Sequence, residues 1–111
     1  MEIITENLQE ISIVRAAGKI DAANVALFED AVKSVTAQEG QNILIDLSRL
    51  IYINSGGLRV VLAAAKIQKN TARTLALCGL TPEVMKIFTI SGLNTILPIF
   101  PGETAALAYL R

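Results

Sequence analysis

The stretch Asn54-Ser55-Gly56-Gly57 holds the residues best placed for chemistry in this sequence. Asparagine is a good N-cap, so Asn54 predicts the start of a helix whose first turn contains the next three residues. Two glycines in that turn cost roughly 1 kcal/mol each relative to alanine, and less at a frayed end. Their lack of side chains would leave the Ser55 hydroxyl exposed above unpaired backbone amides, a position that favours an anion. A phosphate on Ser55 would suit this position.

The same four residues also fit a purely structural interpretation. Asn-Ser-Gly-Gly is an ordinary loop-to-helix turn, and short motifs of this kind often occur without a function. Spacing alone therefore leaves the choice open between a phosphorylated serine and a simple helix start.

The composition excludes several classes of function. The chain has 111 residues, no histidine and one cysteine, which excludes histidine-dependent catalytic triads and most catalytic zinc sites. Ten basic residues balance ten acidic ones, so a nucleic-acid partner is not expected. No apolar segment approaches the about 18 residues that span a membrane, and no glycine-rich phosphate loop is present. We expect one cytoplasmic domain, residues 1–111, that is not an enzyme and has no metal or cofactor of its own.

Apolar runs and helical periodicities predict the elements that must position the Ser55 turn. Five runs predict strands, at Ile3–Thr5, Ile11–Val14, Ile43–Ile45, Leu75–Leu77 and Ile96–Phe100. Repeats near 3.6 residues predict three helices between the later strands, and the Ala- and Leu-rich segment Glu103–Leu110 predicts a fourth. Two strands precede the first helix, and strands and helices then alternate. This order predicts an α/β fold with a mixed sheet of four to five strands and about four helices.

The boundaries near the turn are predicted from capping residues and apolar runs. Asp21 is expected to cap the first helix, and Glu39-Gly40 to end it. The unbroken apolar run Ile43–Ile45 predicts a central strand that is covered on both faces. Asp46 and Ser48 should close this strand, and Tyr52-Ile53 should form a short extended segment before the turn.

Four segments and one helix of the chain follow one another in a characteristic order. They are Ile43-Leu-Ile-Asp-Leu-Ser48, Tyr52-Ile-Asn-Ser-Gly-Gly-Leu58, the long Ala-rich helix, Leu77-Cys-Gly-Leu-Thr-Pro-Glu-Val84 and Phe88-Thr-Ile-Ser-Gly-Leu93. In this order they resemble the STAS-domain family of bacterial anti-sigma factor antagonists, over nearly the whole chain. The resemblance implies a STAS-like single domain.

The resemblance also implies a regulatory protein that acts by binding. The unphosphorylated form would bind an anti-sigma factor that is also a serine kinase, and this binding would release the sigma factor. The kinase would use ATP and magnesium to phosphorylate one serine, which falls on Ser55, and a separate serine phosphatase would remove the phosphate. The predicted partner-binding surface consists of Asp21, Asn54, Ser55, Gly56, Gly57, Leu58 and Arg59.

Two departures from the motif of the family keep other functions open. In a common version an aspartate precedes the serine and a second serine follows it, whereas Asn54 and Gly56 occupy these positions here. One alternative is a docking or scaffold module of a signalling or transport complex, in which Ser55 is never phosphorylated. The other is a sensor that binds a nucleotide or another anion at the same helix start.

Overall fold

Five strands and four α-helices make up the computed structural model, which describes residues 1–111. The strands are β1 (Glu2–Leu8), β2 (Ile11–Ile20), β3 (Asn42–Ile53), β4 (Leu75–Cys78) and β5 (Ile99–Phe100). The helices are α1 (Val25–Thr36), α2 (Ser55–Asn70), α3 (Pro82–Ile90) and α4 (Glu103–Leu110), with a 3-10 turn at Leu93–Thr95. None of the helices is both long enough and apolar enough to span a bilayer.

The strands form one mixed sheet in the order β1-β2-β3-β4-β5. β1 and β2 are antiparallel, whereas the other three neighbouring pairs are parallel. A helix connects the strands of each parallel pair, and right-handed crossovers that step to the next strand place α1, α2 and α3 on one face. The predicted α/β fold, with its mixed sheet and four helices, is confirmed.

Two hydrophobic clusters cover the two faces of the sheet. The larger joins the buried residues of α1, α2 and α3 to one face, and the smaller joins α4 to the other face. Ile43, Leu44 and Ile45 are all fully buried and belong alternately to the two clusters. β3 is therefore covered on both faces, as its unbroken apolar run predicts.

β3 extends further than the sequence predicts. It runs without interruption from Asn42 to Ile53, so the expected end at Asp46 and Ser48 and the separate extended segment before the turn are wrong. Beyond Asp46 the buried residues include Leu47, Leu50 and Ile53, a spacing of three that lacks the alternation of a strand. The pairing with β2 shifts register twice along this stretch, and such irregularities change which side chains face inward.

The boundaries of α1 also differ from the prediction. The helix begins at Val25, with Asn24 in the N-cap position, and ends at Thr36. The expected cap at Asp21 is therefore wrong, and the helix ends before the predicted stop at Glu39-Gly40. Asp21 belongs to the turn that precedes α1, so the helix starts after it.

The last strand is shorter than predicted. Only Ile99 and Phe100 pair with β4. The earlier part of the predicted run follows the 3-10 turn and leads into Pro98. The N–H groups of Ile96 and Leu97 both donate to the carbonyl oxygen of Leu93, and Pro98 has no N–H, so none of these residues can donate to β4.

Candidate functional site

The turn before α1 and the turn before α2 lie side by side at the carboxyl edge of the sheet. Ile20 ends β2, Ile53 ends β3, and the two residues are paired. The backbone N–H of Asn54 donates to the carbonyl oxygen of Ile20 over 2.9 Å, which ties the start of α2 to the end of β2. The structure thereby brings Asp21, which follows Ile20, to the same edge as Ser55.

Asn54 caps α2, as predicted. Its backbone is extended, with φ −87° and ψ 176°, and its Oδ1 accepts a hydrogen bond from the N–H of Gly57 over 2.8 Å. Its carbonyl oxygen accepts the first helical bond, from the N–H of Leu58 over 3.1 Å. The N–H groups of Ser55 and Gly56 have no hydrogen-bond acceptor within the helix and lie at its first turn.

Ser55 is the first residue of α2 and is exposed. Cα–Cβ bonds in a helix tilt toward its N-terminus, so the side chain of a first residue extends past the helix start. The hydroxyl is therefore accessible to another protein. A group attached to it would lie beside the amides of the first turn.

Gly57 has a steric role beneath Ser55. A Cβ on Gly57 would lie 2.6 Å from Cγ1 of Ile53 and 3.0 Å from Cγ2 of Ile20. These isoleucines are 1% and 0% exposed, so neither has room to move aside. Close packing of α2 against the ends of β2 and β3 therefore requires glycine. The cost of this glycine in helix propensity thus has an explanation that does not involve a phosphate on Ser55.

The turn before α1 is held by two side chains, Asp21 and Asn24. A carboxylate oxygen of Asp21 accepts from the N–H of Ala23 over 3.0 Å, and Oδ1 of Asn24 accepts from the N–H of Asp21 over 2.9 Å. The Asn24 amide also donates to the carbonyl oxygen of Lys19 over 2.8 Å. The carbonyl oxygen of Asp21 also accepts from the N–H of Val25, the first residue of α1, over 2.9 Å. Asp21 therefore stabilises the turn and the first residue of the helix, although Asn24 holds the N-cap position. Asn24 was missed from the sequence, although the spacing Asp-x-x-Asn resembles a capping box, in which the later side chain accepts from the N–H of the earlier residue.

A shallow groove runs between α1 and α2 from this edge. It is lined by Val25, Glu29, Gly56, Arg59, Val60 and Ala63. A Cβ on Gly56 would lie 3.3 Å from Cγ2 of Val25, so this glycine lets the two helices approach closely. Arg59 is exposed, whereas Leu58 is half-buried and packs against the larger hydrophobic cluster. Of these two residues, Arg59 is the one accessible to a partner.

A second polar cluster lies away from Ser55, on the sheet face that α4 covers. Arg15 forms ion pairs with Glu6, Asp46 and Glu103 over 2.9, 2.7 and 2.6 Å. Hydrogen bonds to Glu103 and Glu6 raise the pKa of the Arg15 guanidinium above its usual value. Burial raises the pKa of Asp46, but hydrogen bonds from Ser48 and Arg15 outweigh it and leave that pKa below its usual value. The cluster joins three strands to α4 and is structural.

Cys78 lies next to Asp46 in the neighbouring strand and is buried. Burial raises the pKa of its thiol to about 12, with a further contribution from the negative charges of Asp46 and Glu103. The thiol is therefore protonated at neutral pH and is a poor nucleophile. No three side chains among Cys, Asp and Glu converge in a way that could hold a metal ion.

Comparison with known proteins identifies the family of this chain. The STAS-domain family model matches residues 2–106. BtrV of Bordetella bronchiseptica, provisionally named an anti-sigma factor antagonist, is 33% identical over 111 residues, which cover 100% of this chain and 96% of BtrV.

Solved structures share the fold. An anti-sigma factor antagonist from Mycobacterium paratuberculosis superimposes with a TM-score of 0.90 at 25% identity, covering 99% of this chain and 93% of that chain. The anti-sigma factor antagonist SpoIIAA in its unphosphorylated form gives 0.84 at 23% identity, with 99% and 96% covered. The phosphorylated form of the Bacillus protein gives 0.76 at 22%, with 99% and 100% covered. With a family model matched over nearly its whole length and a relative of 33% identity, the chain belongs to the STAS-domain family.

Proposed function

We propose that this protein is an anti-sigma factor antagonist, which binds an anti-sigma factor and thereby releases a sigma factor. The names of its relatives support this function. The observation that carries the proposal is the exposed Ser55 at the start of α2, beside the turn that contains Asp21. The binding surface comprises Asp21, Asn54, Ser55, Gly56 and Arg59, with Gly57 and Leu58 supporting it from beneath.

Reversible phosphorylation of Ser55 controls this binding in our proposal. The anti-sigma factor is also a serine kinase, which transfers the γ-phosphoryl group of ATP to Oγ of Ser55 with the aid of magnesium; ADP leaves and the hydroxyl proton is released. A serine phosphatase hydrolyses the phosphoserine and restores the hydroxyl. SpoIIAA is known in both an unphosphorylated and a phosphorylated form, which supports a reversible modification on this fold.

The phosphate weakens binding through its charge. It adds about −1.5 to −2 charges to a chain of net charge zero. Burying that charge against a partner surface that offers it no cation costs several kcal/mol, and a loss of about 4 kcal/mol changes affinity by about a thousandfold. The packing of Gly57 against Ile20 and Ile53 holds the first turn in place, so the switch needs no rearrangement of the backbone.

In this proposal the partner kinase and phosphatase carry out the chemical steps of the switch. The chain has no histidine, and its one thiol is protonated at neutral pH, so we expect it to be a substrate and a binding surface and not an enzyme. ATP and magnesium are held by the kinase, and no cofactor is held by this chain. Control of a sigma factor takes place in the bacterial cytoplasm, where we place this protein.

Phosphate mapping tests the site. The protein is incubated with the anti-sigma kinase of the same organism, ATP and magnesium, and the product is analysed by mass spectrometry. We expect one phosphate, on Ser55, and none on the Ser55→Ala variant. Ser48→Ala removes another exposed serine and should leave phosphorylation unchanged. Phosphate on a different serine would contradict the assignment.

Calorimetry of binding tests the switch and the alternatives. Ser55→Ala should bind the kinase like the wild type, whereas Ser55→Asp should bind at least about tenfold more weakly, equivalent to about 1.4 kcal/mol. Binding of a non-kinase partner that is unaffected by Ser55→Asp would instead indicate a docking module. Tight binding of a nucleotide by this chain alone would indicate a sensor.

A further inference from the structure

Arg59 is the first cationic residue of α2 after Ser55. The two residues are four positions apart, which places them on the same side of the helix with Cβ atoms about 6 Å from each other. Both are exposed. A phosphate on Ser55 would therefore lie within reach of the Arg59 side chain.

The Arg59 side chain extends back toward the helix start. Its Nη2 lies 3.9 Å from the position that a Cβ on Gly56 would occupy, and Oδ1 of Asn54 lies 3.4 Å from the same position. The guanidinium is thus beside the first turn before any phosphate is present. It needs no large movement to meet an anionic oxygen on Ser55.

No carboxylate of the chain forms an ion pair with Arg59. The ion pairs of the structure involve Arg15 or Lys33 as the cation. Glu29, which lines the same groove as Arg59, lies 3.7 Å from Lys33. Arg59 is therefore free to take an anionic partner, and guanidinium groups bind phosphate through two parallel N–H···O bonds.

We propose that Arg59 binds the phosphate on Ser55 within the same chain. This inference rests on the proposed phosphorylation of Ser55 and deepens it. Phosphorylation then changes the binding surface in two ways. It adds negative charge at Ser55, and it withdraws the Arg59 cation from contact with a partner. Arg59 acts as a positioning residue for the phosphate, and an acidic group of the partner loses its counter-charge when the phosphate is added.

The test uses protein in which phosphoserine is incorporated at position 55 during translation, so that no kinase is needed. Phosphorus-31 NMR follows the titration of the phosphate, whose second pKa is about 6 when unperturbed. A nearby cation favours the dianion, so Arg59→Gln should raise this pKa by about 0.3 to 0.7 pH unit relative to the wild-type phosphoprotein. Lys66→Gln removes the same charge from the same helix at a position about 16 Å from Ser55 along the helix axis, and it should leave the pKa unchanged.

The outcome of the titration is independent of the kinase. Arg59→Lys should recover part of the difference, since lysine keeps the charge and loses the two-bond geometry. An equal pKa in wild type and Arg59→Gln, or equal shifts in Arg59→Gln and Lys66→Gln, would overturn the inference. A kinase that leaves Ser55 unmodified would refute the proposed phosphorylation instead, whatever the titration shows.

Discussion

Replacement of Gly57 by alanine should destabilise the protein, although alanine is the better helix former. Alanine gains at most about 1 kcal/mol in a helix interior and less in a first turn. The added methyl group would lie 2.6 Å from Cγ1 of Ile53 and 3.0 Å from Cγ2 of Ile20, whereas carbon atoms pack best at about 3.5 to 4.0 Å. Overpacking of this kind costs about 1 to 3 kcal/mol, so we expect a net loss of about 1 to 2 kcal/mol.

Gly56→Ala is the matched control, because it makes the same change in the same turn. A Cβ on Gly56 would lie 3.3 Å from Cγ2 of Val25. Val25 is only partly buried, so its side chain has room to shift by a few tenths of an ångström. The gain in helix propensity and the tight contact should nearly cancel, and we expect a change within about 0.5 kcal/mol of zero.

Urea unfolding followed by circular dichroism measures both variants. With a slope of about 1 to 1.5 kcal/mol per molar urea for a domain of this size, Gly57→Ala should unfold at about 1 M less urea than the wild type. Gly56→Ala should unfold near the wild-type midpoint. A Gly57→Ala variant as stable as the wild type would refute the steric explanation. Equal losses in both variants would show that contact with Ile53 and Ile20 is not the cause.

Three further experiments test other parts of the structure. Asn54→Ala should lower the free energy of unfolding by about 1 kcal/mol, because it removes the oxygen that caps the N–H of Gly57; Asn54→Asp keeps this acceptor and should match the wild type in urea. The folded-state pKa of Asp46 lies below its usual value, so its charge stabilises the fold above about pH 4, and this stabilisation is lost as the pH falls through the folded pKa. Asp46→Asn should therefore make the free energy of unfolding fall less steeply below about pH 4, and a slope equal to that of the wild type would count against this ion pair. Cys78, with a thiol pKa raised to about 12, should react with iodoacetamide at least about a hundredfold more slowly in the folded protein than in urea; similar rates in a mass-spectrometric time course would contradict the burial.

The features that could be predicted from the sequence have short-range causes. The order of strands and helices follows from apolar runs and periodicities of a few residues, and the start of α2 follows from Asn54 alone. The burial of β3 on both faces follows from the three consecutive apolar residues Ile43–Ile45. Each of these signals acts within one element, so the pattern and the structure agree.

The features that were missed depend on contacts between distant segments. The second half of β3 is a strand because it pairs with β2 as far as Ile20, and its own burial pattern gives no sign of this. In the sequence Gly57 indicates only a cost in helix propensity, because its contact with Ile20 crosses between elements. Arg15 and Glu103 are 88 positions apart, and no local pattern connects them.

The arrangement of α1, α2 and α3 gives the molecule a polarity that its formal charges do not show. All three helices return across the same face between parallel strands, so all three begin at the carboxyl edge. The aligned peptide dipoles of each helix place about half a positive charge at its start, and no antiparallel helix in this layer cancels them. α1 and α2 have no acidic residue in the first turn. Although the chain has a net charge of zero, the start of α2 at Ser55 therefore carries partial positive charge, which stabilises an acidic group of a partner in direct contact with this turn.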